Sequence, residues 1–439
     1  MLSKFKPFLT TLACIPLLGL SQELLTPDQA VAIALENNYS IRIARNQAEM
    51  AANNVTYGNA GFLPGIDVSA SQSNNIQNSR QEFLTGQVNE REGARSNSIN
   101  LNTALNWTLF DGLAMFINYD KLKEFEDMGE LVARATIERT VARVLLSYYD
   151  LVRQKQRLQV IDKSIAISEE RIRLAEEKFQ LGAASRLDIL QAQVDYSADR
   201  SDQLNSLEAF RTSKIMLNNL MAREIGVLFE VSDQIDPVSL PEWNQLYETT
   251  MANNTYLMIN LAGQRISSLE LREIQARRYP RLNVGLGYTF VQSESEAGFM
   301  AKNRTSGINY GVSVGWNVFN GLNLNRQIAN ARIMVETSEI EMMDFRSGLE
   351  ADLTAIYLSM ESKIQLVDFE EKNLEVASLN LEIAMERFRL GELSGLELRE
   401  AQKNYLAAEG RLITARYQAK IVEVGLREIS GEILVGKLD

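Results

Sequence analysis

The chain of 439 residues contains no histidine and a single cysteine, Cys14. Histidine is the most frequent general acid or base and a common metal ligand, and cysteine supplies most nucleophilic thiols. A glycine-rich phosphate loop before a helix and a spaced cluster of metal ligands are also missing from the sequence. We therefore expect a protein that is not an enzyme and that needs no cofactor and no metal.

Long apolar runs are scarce as well. The longest is Pro7–Leu20, which follows Lys4 and Lys6 and ends at the small residues before Gln22. It is shorter than the roughly 20 residues that a membrane-spanning helix needs, so residues 1–21 are interpreted as a signal peptide. Cys14 would leave with that peptide, although its lipidation remains an alternative. The formal charge of −12 disfavours nucleic acid as a partner.

The chain contains a tandem sequence repeat. Phe179-Gln-Leu-Gly182 recurs 209 residues later as Phe388-Arg-Leu-Gly391, and the same spacing relates Trp107 to Trp316. Before Trp107 the spacing is 216 residues, as between Pro64 and Pro280. The interpretation is a first repeat at 22–222, a linker at 223–245 that contains two prolines, and a second repeat at 246–439.

Proline is absent and glycine nearly so from about Leu113 to Phe179 and from Leu322 to Phe388. A helix of such a length would measure roughly 100 Å. Apolar residues recur every seven positions, which predicts coiled-coil packing: Leu151, Leu158, Ile165, Ile172 and Phe179, then Met360, Val367, Leu374, Leu381 and Phe388. Gly182 and Gly391 are expected to end these helices, and returning helices at about 187–220 and 396–429 complete two helical hairpins.

Strict alternation of apolar and polar residues predicts two strands in each repeat, of about ten to thirteen residues, joined by polar loops at about 78–97 and 292–306. A tilted strand of that length crosses a bilayer, but four strands cannot close a barrel, whereas three chains supply twelve. Aromatic residues stand at the helix–strand junctions, where a membrane-interface girdle or simple packing at a seam is expected. They are Phe62, Trp107, Phe110, Tyr279, Trp316 and Phe319.

The leader, the tandem repeat, the paired strands and the Phe-x-x-Gly tip of each hairpin together resemble the TolC-like outer membrane efflux family. The resemblance implies an α+β membrane protein: a homotrimer with a twelve-stranded β-barrel in outer-membrane lipid, continuous with an α-helical coiled-coil barrel in the periplasm. It further implies a passive exit duct of a tripartite efflux or type I secretion system. The partners would be a periplasmic adaptor protein and an inner-membrane pump.

The family's tip motif places acidic residues after each glycine. It maps to Asp188 in the first repeat and to Glu397 and Glu400 in the second, which the resemblance implies form a channel gate. Gln191 stands where the second repeat has Glu400, and Leu393 stands where the family can carry a basic residue, so a closing salt bridge would use Arg186 or Arg399. A solvated helix face is the alternative reading of these acids.

The hairpin tips would contact the adaptor through Gly182, Ala183, Ser185, Gly391 and Ser394, where small residues permit close approach of helices. Two other functions remain open from the sequence. A barrel-anchored surface or adhesion protein would use the strands alone, and a periplasmic coiled-coil scaffold would use the helices alone.

Overall fold

A computed structural model describes residues 24–297 and 300–434. Its helices, in chain order, are α1 (Pro27–Asn37), α2 (Tyr39–Asn53), α3 (Tyr57–Ala60), α4 (Ala114–Gln180), α5 (Arg186–Leu220), α6 (Trp243–Asn253), α7 (Thr255–Ala276), α8 (Asn323–Arg389) and α9 (Gly395–Ile429). Its strands are β1 (Leu24–Leu25), β2 (Gly65–Glu82), β3 (Val88–Phe110), β4 (Glu230–Val231), β5 (Arg281–Ser295) and β6 (Lys302–Gly315). The proposed leader and Cys14 lie outside the described residues.

The two long helices confirm the prediction closely. α4 and α8 each contain 67 residues, and each starts and ends one position later than the sequence pattern indicates. The returning helices α5 and α9 each contain 35 residues. No helix in the described part of the chain has an apolar stretch long enough to cross a bilayer.

Local sequence signals also set the start of α1. Pro27 is its first residue, and the hydroxyl of Thr26 accepts a hydrogen bond from Gln29 N, while Thr26 N donates to the Gln29 side chain at 2.8 Å. This capping box gives a hydrogen-bond acceptor to each of two backbone N–H groups, those of Thr26 and Gln29. Proline is favoured as the first residue of a helix because its missing N–H would have no partner there.

Four antiparallel strands form a sheet in the order β2-β3-β5-β6, and β1 pairs with β4 as a separate two-stranded parallel piece. The strands are longer than predicted, from 14 to 23 residues, and the predicted loops at 78–97 and 292–306 are wrong. β2 continues to Glu82 and β3 begins at Val88. In the second repeat β5 ends at Ser295 and β6 begins at Lys302. The ladder needs backbone groups only, so polar strand extensions pair as well as apolar ones.

Apolar residues of the sheet share one face. Ile66 pairs with Leu105, Trp107 with Val284, and Leu286 with Tyr310. This face is uncovered within one chain, since Val68 is 77% and Tyr310 85% exposed. A bulge at Leu109 lets Phe110 pair with Leu282, which turns that aromatic ring to the apolar face rather than to the polar one.

The chain divides into two compact units, and both repeats contribute to each. Among the described residues, the first unit comprises 24–38, 143–239 and 361–424; its core includes Tyr148, Leu151 and Leu398. The second comprises the described residues of 39–142, 240–360 and 425–434, and it contains the four-stranded sheet.

Candidate functional site

The candidate site starts at the two hairpin tips, which have the same backbone geometry. Gly182 and Gly391 have φ of +74° and +82°, values that only glycine adopts without strain. The following residues close the helix ends: Ala183 N donates to Lys178 O at 2.8 Å, and Glu392 N to Arg387 O at 2.9 Å. This is the six-to-one hydrogen bond of a glycine-terminated helix. The tips are therefore hydrogen-bonded reversals of the chain with the same geometry in both repeats.

Asp188 and Glu397 are capping residues of the returning helices. The Ser185 hydroxyl donates to Asp188 Oδ2 at 2.8 Å, and the Ser394 hydroxyl donates to Glu397 Oε2 at 2.7 Å. In each pair the backbone N–H of the serine donates to the same carboxylate oxygen, at 2.8 and 3.0 Å. The two acids predicted as gate residues thus also fix the geometry of the tip.

These hydrogen bonds favour the ionised form of both carboxylates. The backbone N–H of Ser185 and then its hydroxyl hold the pKa of Asp188 below its usual value. Ser394 acts on Glu397 in the same way and order. Both side chains stay exposed, as does that of Glu400, three residues further along α9. The second tip therefore presents two carboxylates spaced three residues apart, which face the same side of the helix.

The residues predicted to contact an adaptor all lie at the tips and are exposed: Gly182, Ala183, Ser185, Gly391 and Ser394. Beside them are two leucines that the sequence reasoning did not single out. Leu181 is 84% and Leu390 73% exposed, and they occupy equivalent positions in the two repeats. The signal was available, because both belong to the repeated Phe-x-Leu-Gly motif.

A buried ionic network joins the two hairpins inside the first unit. Arg399 on α9 makes two hydrogen bonds to the carboxylate of Asp199 on α5, at 2.9 and 3.0 Å. On α4, the hydroxyls of Ser164 and Ser168 donate to Asp199 Oδ2 at 3.2 and 2.6 Å. The side chains of Asp199 and Arg399 are only 8% and 10% exposed, so they form an ion pair in a poorly hydrated site.

Two further side chains complete this network. Gln402 on α9 is fully buried and donates to Ser164 O at 3.0 Å and to the Ser168 hydroxyl at 3.1 Å. Asp195 on α5 binds Arg171 at 2.6 Å and lies 3.5 Å from Arg399 Nε. Arg399, one of two basic residues considered for a closing salt bridge, is therefore engaged within its own chain. Arg186, the other, is an exposed first residue of α5.

The junction aromatics lie where the sheet meets the helices of the second unit. Trp107 Nε1 donates to Phe62 O at 2.8 Å, and Trp316 Nε1 donates to Arg278 O at 3.0 Å. Tyr279, Trp316 and Phe319 border a surface cavity of about 1040 Å³ together with Arg281. Each indole is thus oriented by a backbone carbonyl, while its ring stays partly exposed.

Comparison with known proteins gives consistent matches. The sequence model described as "Outer membrane efflux protein" matches residues 30–223 and 246–432. The outer membrane efflux protein BepC of Brucella suis is 21% identical over 420 residues, which is 93% of this chain and 86% of that protein. The outer membrane protein TolC of Vibrio cholerae is 19% identical over 409 residues, 91% of this chain and 89% of that protein.

Solved structures agree at the level of fold. The Campylobacter jejuni CmeC outer membrane channel superposes with a TM-score of 0.76 at 16% identity, covering 92% of this chain and 85% of that one.

Proposed function

We propose that this chain, which belongs to the outer membrane efflux protein family, acts as a homotrimer in which three copies close one exit duct through the outer membrane. Each copy contributes four strands to a β-barrel and two helical hairpins to an α-helical barrel in the periplasm. The duct conducts substrates passively from an inner-membrane pump of an efflux or type I secretion system, and the pump supplies the energy.

The four-stranded sheet supports this proposal most directly. Its edge strands are β2 and β6, and its apolar face is exposed in a single chain. In lipid an unpaired strand edge costs several kcal/mol for each unsatisfied backbone group. Pairing the β6 edge of one copy with the β2 edge of the next removes both edges, and twelve strands then turn the apolar face to lipid.

The helices support the same assembly. Along α8 and at the first position after it, apolar residues recur every seven residues and are 51–73% exposed: Phe369, Val376, Ile383 and Leu390. An apolar stripe with a heptad period is a packing surface for a second helix. Within a single chain this stripe stays exposed.

The gate is proposed at the second tip. Glu397 and Glu400 of three copies would form two stacked carboxylate rings that attract cations and narrow the periplasmic end. Asp188 would add a further acidic position from the first tip. Because Glu397 is held by Ser394, its carboxylate is oriented by the backbone, and opening moves the tip as one body rather than a single side chain.

The tips are also the proposed contact with a periplasmic adaptor. Each chain offers two hydrogen-bonded reversals, with exposed small residues and with Leu181 or Leu390 as an apolar anchor. A helical hairpin of the partner could pack its own apolar stripe against these points.

Planar-bilayer conductance of the purified protein tests the gate. Glu397→Gln with Glu400→Gln should raise the closed-state conductance and reduce cation selectivity, because each copy loses two carboxylates at the constriction. The matched control is Glu336→Gln with Glu339→Gln, two exposed acids with the same spacing on α8.

The control should leave both quantities unchanged. If the tip variant behaves like the control, the gate assignment is wrong, while a protein that is monomeric in detergent and forms no channel would refute the duct itself.

A further inference from the structure

We propose that the surface cavity of about 1040 Å³ at the start of β5 binds an anionic phospholipid, whose phosphate is held by Arg277, Arg278 and Arg281. The inference rests on the proposed duct, because that function places this end of the sheet at the periplasmic leaflet of the outer membrane. It adds a ligand site that is separate from the hairpin tips and from the path of the cargo.

The lining of the cavity has the composition of an anion site. The described residues that border it include three arginines, four asparagines and one glutamine, and no acidic residue. The chain as a whole is acidic, with 57 Asp and Glu against 45 Lys and Arg. Guanidinium groups bind phosphate oxygens through paired N–H donors, and side-chain amides add further donors. The cavity therefore offers positive charge and hydrogen-bond donors to a negatively charged ligand.

The guanidinium groups are available to such a ligand. All three arginine side chains are exposed, and Arg278 and Arg281 form no ion pair and no side-chain hydrogen bond within the described part of the chain. Arg277 has one contact of 3.9 Å with Glu273, a carboxylate that also binds Lys121. The dipole of α7 favours cations directly after its last residue, but Arg281 is the first residue of β5 and lies beyond that influence.

The same cavity has an apolar side. Four apolar residues line it and are 61–76% exposed: Trp316, Val318, Phe319 and Leu322. Trp316 Nε1 donates to Arg278 O at 3.0 Å, which holds the indole beside the arginine segment. A soluble phosphate compound would leave this side in water, whereas the acyl chains of a phospholipid would cover it. The lining therefore fits a ligand that carries both a phosphate and a hydrocarbon part.

The cavity lies at one end of the apolar face of the sheet. The last apolar pair between β5 and β6 at this end is Leu282 with Val314, and the next pair, Arg281 with Gly315, lines the cavity. In the proposed duct this end is the periplasmic one, because the chain continues here into the helices α7 and α8. Aromatic and basic side chains at the edge of the apolar band lie among lipid headgroups, where basic residues attract anionic lipids.

The first repeat lacks this site. The positions 216 residues before the three arginines are Gly61, Phe62 and Gly65, none of which is charged. A trimer would therefore hold three such sites rather than six. Because β6 is an edge strand, the next copy would border the cavity, and the bound lipid would contact both copies.

Native mass spectrometry of the detergent-purified protein with added phosphatidylglycerol tests the site. The wild-type trimer should retain up to three molecules, and should prefer them to phosphatidylcholine, whose headgroup has no net charge. Arg278→Gln with Arg281→Gln should weaken phosphatidylglycerol binding about 30-fold, since each arginine near a membrane surface contributes a factor of about five. The matched control is Arg200→Gln with Arg211→Gln, which removes two exposed arginines from α5 and should bind as wild type does.

A second comparison separates a lipid from free phosphate as the ligand. At equal ionic strength, inorganic phosphate should displace phosphatidylglycerol no better than sodium chloride does, and Phe319→Ala should weaken lipid binding although it keeps all three arginines. Selective displacement by inorganic phosphate, together with wild-type lipid binding by Phe319→Ala, would show that the lipid assignment is wrong.

The site and the duct fail by different results. Equal lipid retention by wild type and by Arg278→Gln with Arg281→Gln in an intact trimer, as when a neighbouring copy fills the cavity, would overturn the site and leave the duct standing. A monomer by native mass without channel conductance would instead refute the duct on which the inference rests.

Discussion

Removing Arg399 should loosen the contact between the two hairpins more than any substitution at an exposed ion pair. Asp199 would keep the hydroxyls of Ser164 and Ser168 but would lose two charged hydrogen bonds in a site where it is nearly inaccessible to water. Leaving one partner of a buried ion pair uncompensated costs about 3–5 kcal/mol. Local opening of α5 from α9 should then become about 10²- to 5 × 10³-fold more frequent in Arg399→Gln, at about 1.36 kcal/mol for each factor of ten.

Hydrogen exchange measured by mass spectrometry in detergent reads out this opening. Amides of α5 around Asp199 and of α9 around Gln402 should exchange faster by that factor, while those of β3 and β5 should not change. The matched control is Arg416→Gln, because Arg416 pairs with Glu371 at 2.7 Å with both side chains more than 40% exposed. An exposed pair contributes at most about 1 kcal/mol, so its exchange should rise less than about fivefold.

A double variant tests the pairing itself. Asp199→Asn added to Arg399→Gln removes the unpaired buried carboxylate that the single variant leaves. Hydrogen exchange in the double variant should therefore be slower than in Arg399→Gln alone. Equal exchange in Arg399→Gln and Arg416→Gln, or simple additivity of the two substitutions at the network, would refute the reasoning.

The pH dependence of the same network has a definite sign. Burial opposes ionisation of Asp199, but hydrogen bonds from Arg399 and then Ser168 outweigh it and hold its pKa below the usual value. A carboxyl whose pKa is lowered by folding stabilises the folded state above its unfolded pKa of about 3.9. That stabilisation is lost as the pH falls through the lower folded value, so faster exchange in wild type should begin only below about pH 4.

Two smaller predictions concern single hydroxyls. Ser394→Ala removes the cap of α9 and should destabilise the second tip by about 0.5–2 kcal/mol, seen as faster limited proteolysis between Leu390 and Glu397; unchanged cleavage would contradict the capping role. Tyr148→Phe removes a hydroxyl that donates to Leu25 O at 2.9 Å and should cost about 0.5–1.5 kcal/mol, measured as faster amide exchange at Leu25, and a wild-type rate there would contradict it.

The long helices were predictable to within one residue because their signals are local and redundant. Proline is excluded from α4 and α8 over 67 residues, and Gly182 and Gly391 supply the positive φ at which the helices end. The strands were predicted in number and face, but not in length. Alternation of apolar and polar residues marks a strand only where its two faces have different surroundings. β2 beyond Ile76 is polar on both faces, so its sequence shows no alternation, although its backbone stays paired.

The candidate site was predicted in part. The motif located Asp188, Glu397 and the tip residues, but it did not show that Ser185 and Ser394 hold these acids by backbone and hydroxyl hydrogen bonds. The serine and the acid three residues later are a capping pattern that the sequence does contain. By contrast, the pairing of Asp199 with Arg399 joins residues 200 positions apart and follows no period, so no pattern in one sequence indicates it.

The sequence by itself determined the twofold repeat, the hairpins and the parity of the strands, because each follows from spacing along the chain and from the backbone preferences of proline and glycine. Only the tertiary structure decided which equivalent residues differ in burial. Phe179 and Phe388 occupy the same position in the repeated Phe-x-Leu-Gly motif, yet one is exposed and the other buried. Burial depends on what packs against a residue, and within one chain only the second repeat has a neighbour on that side.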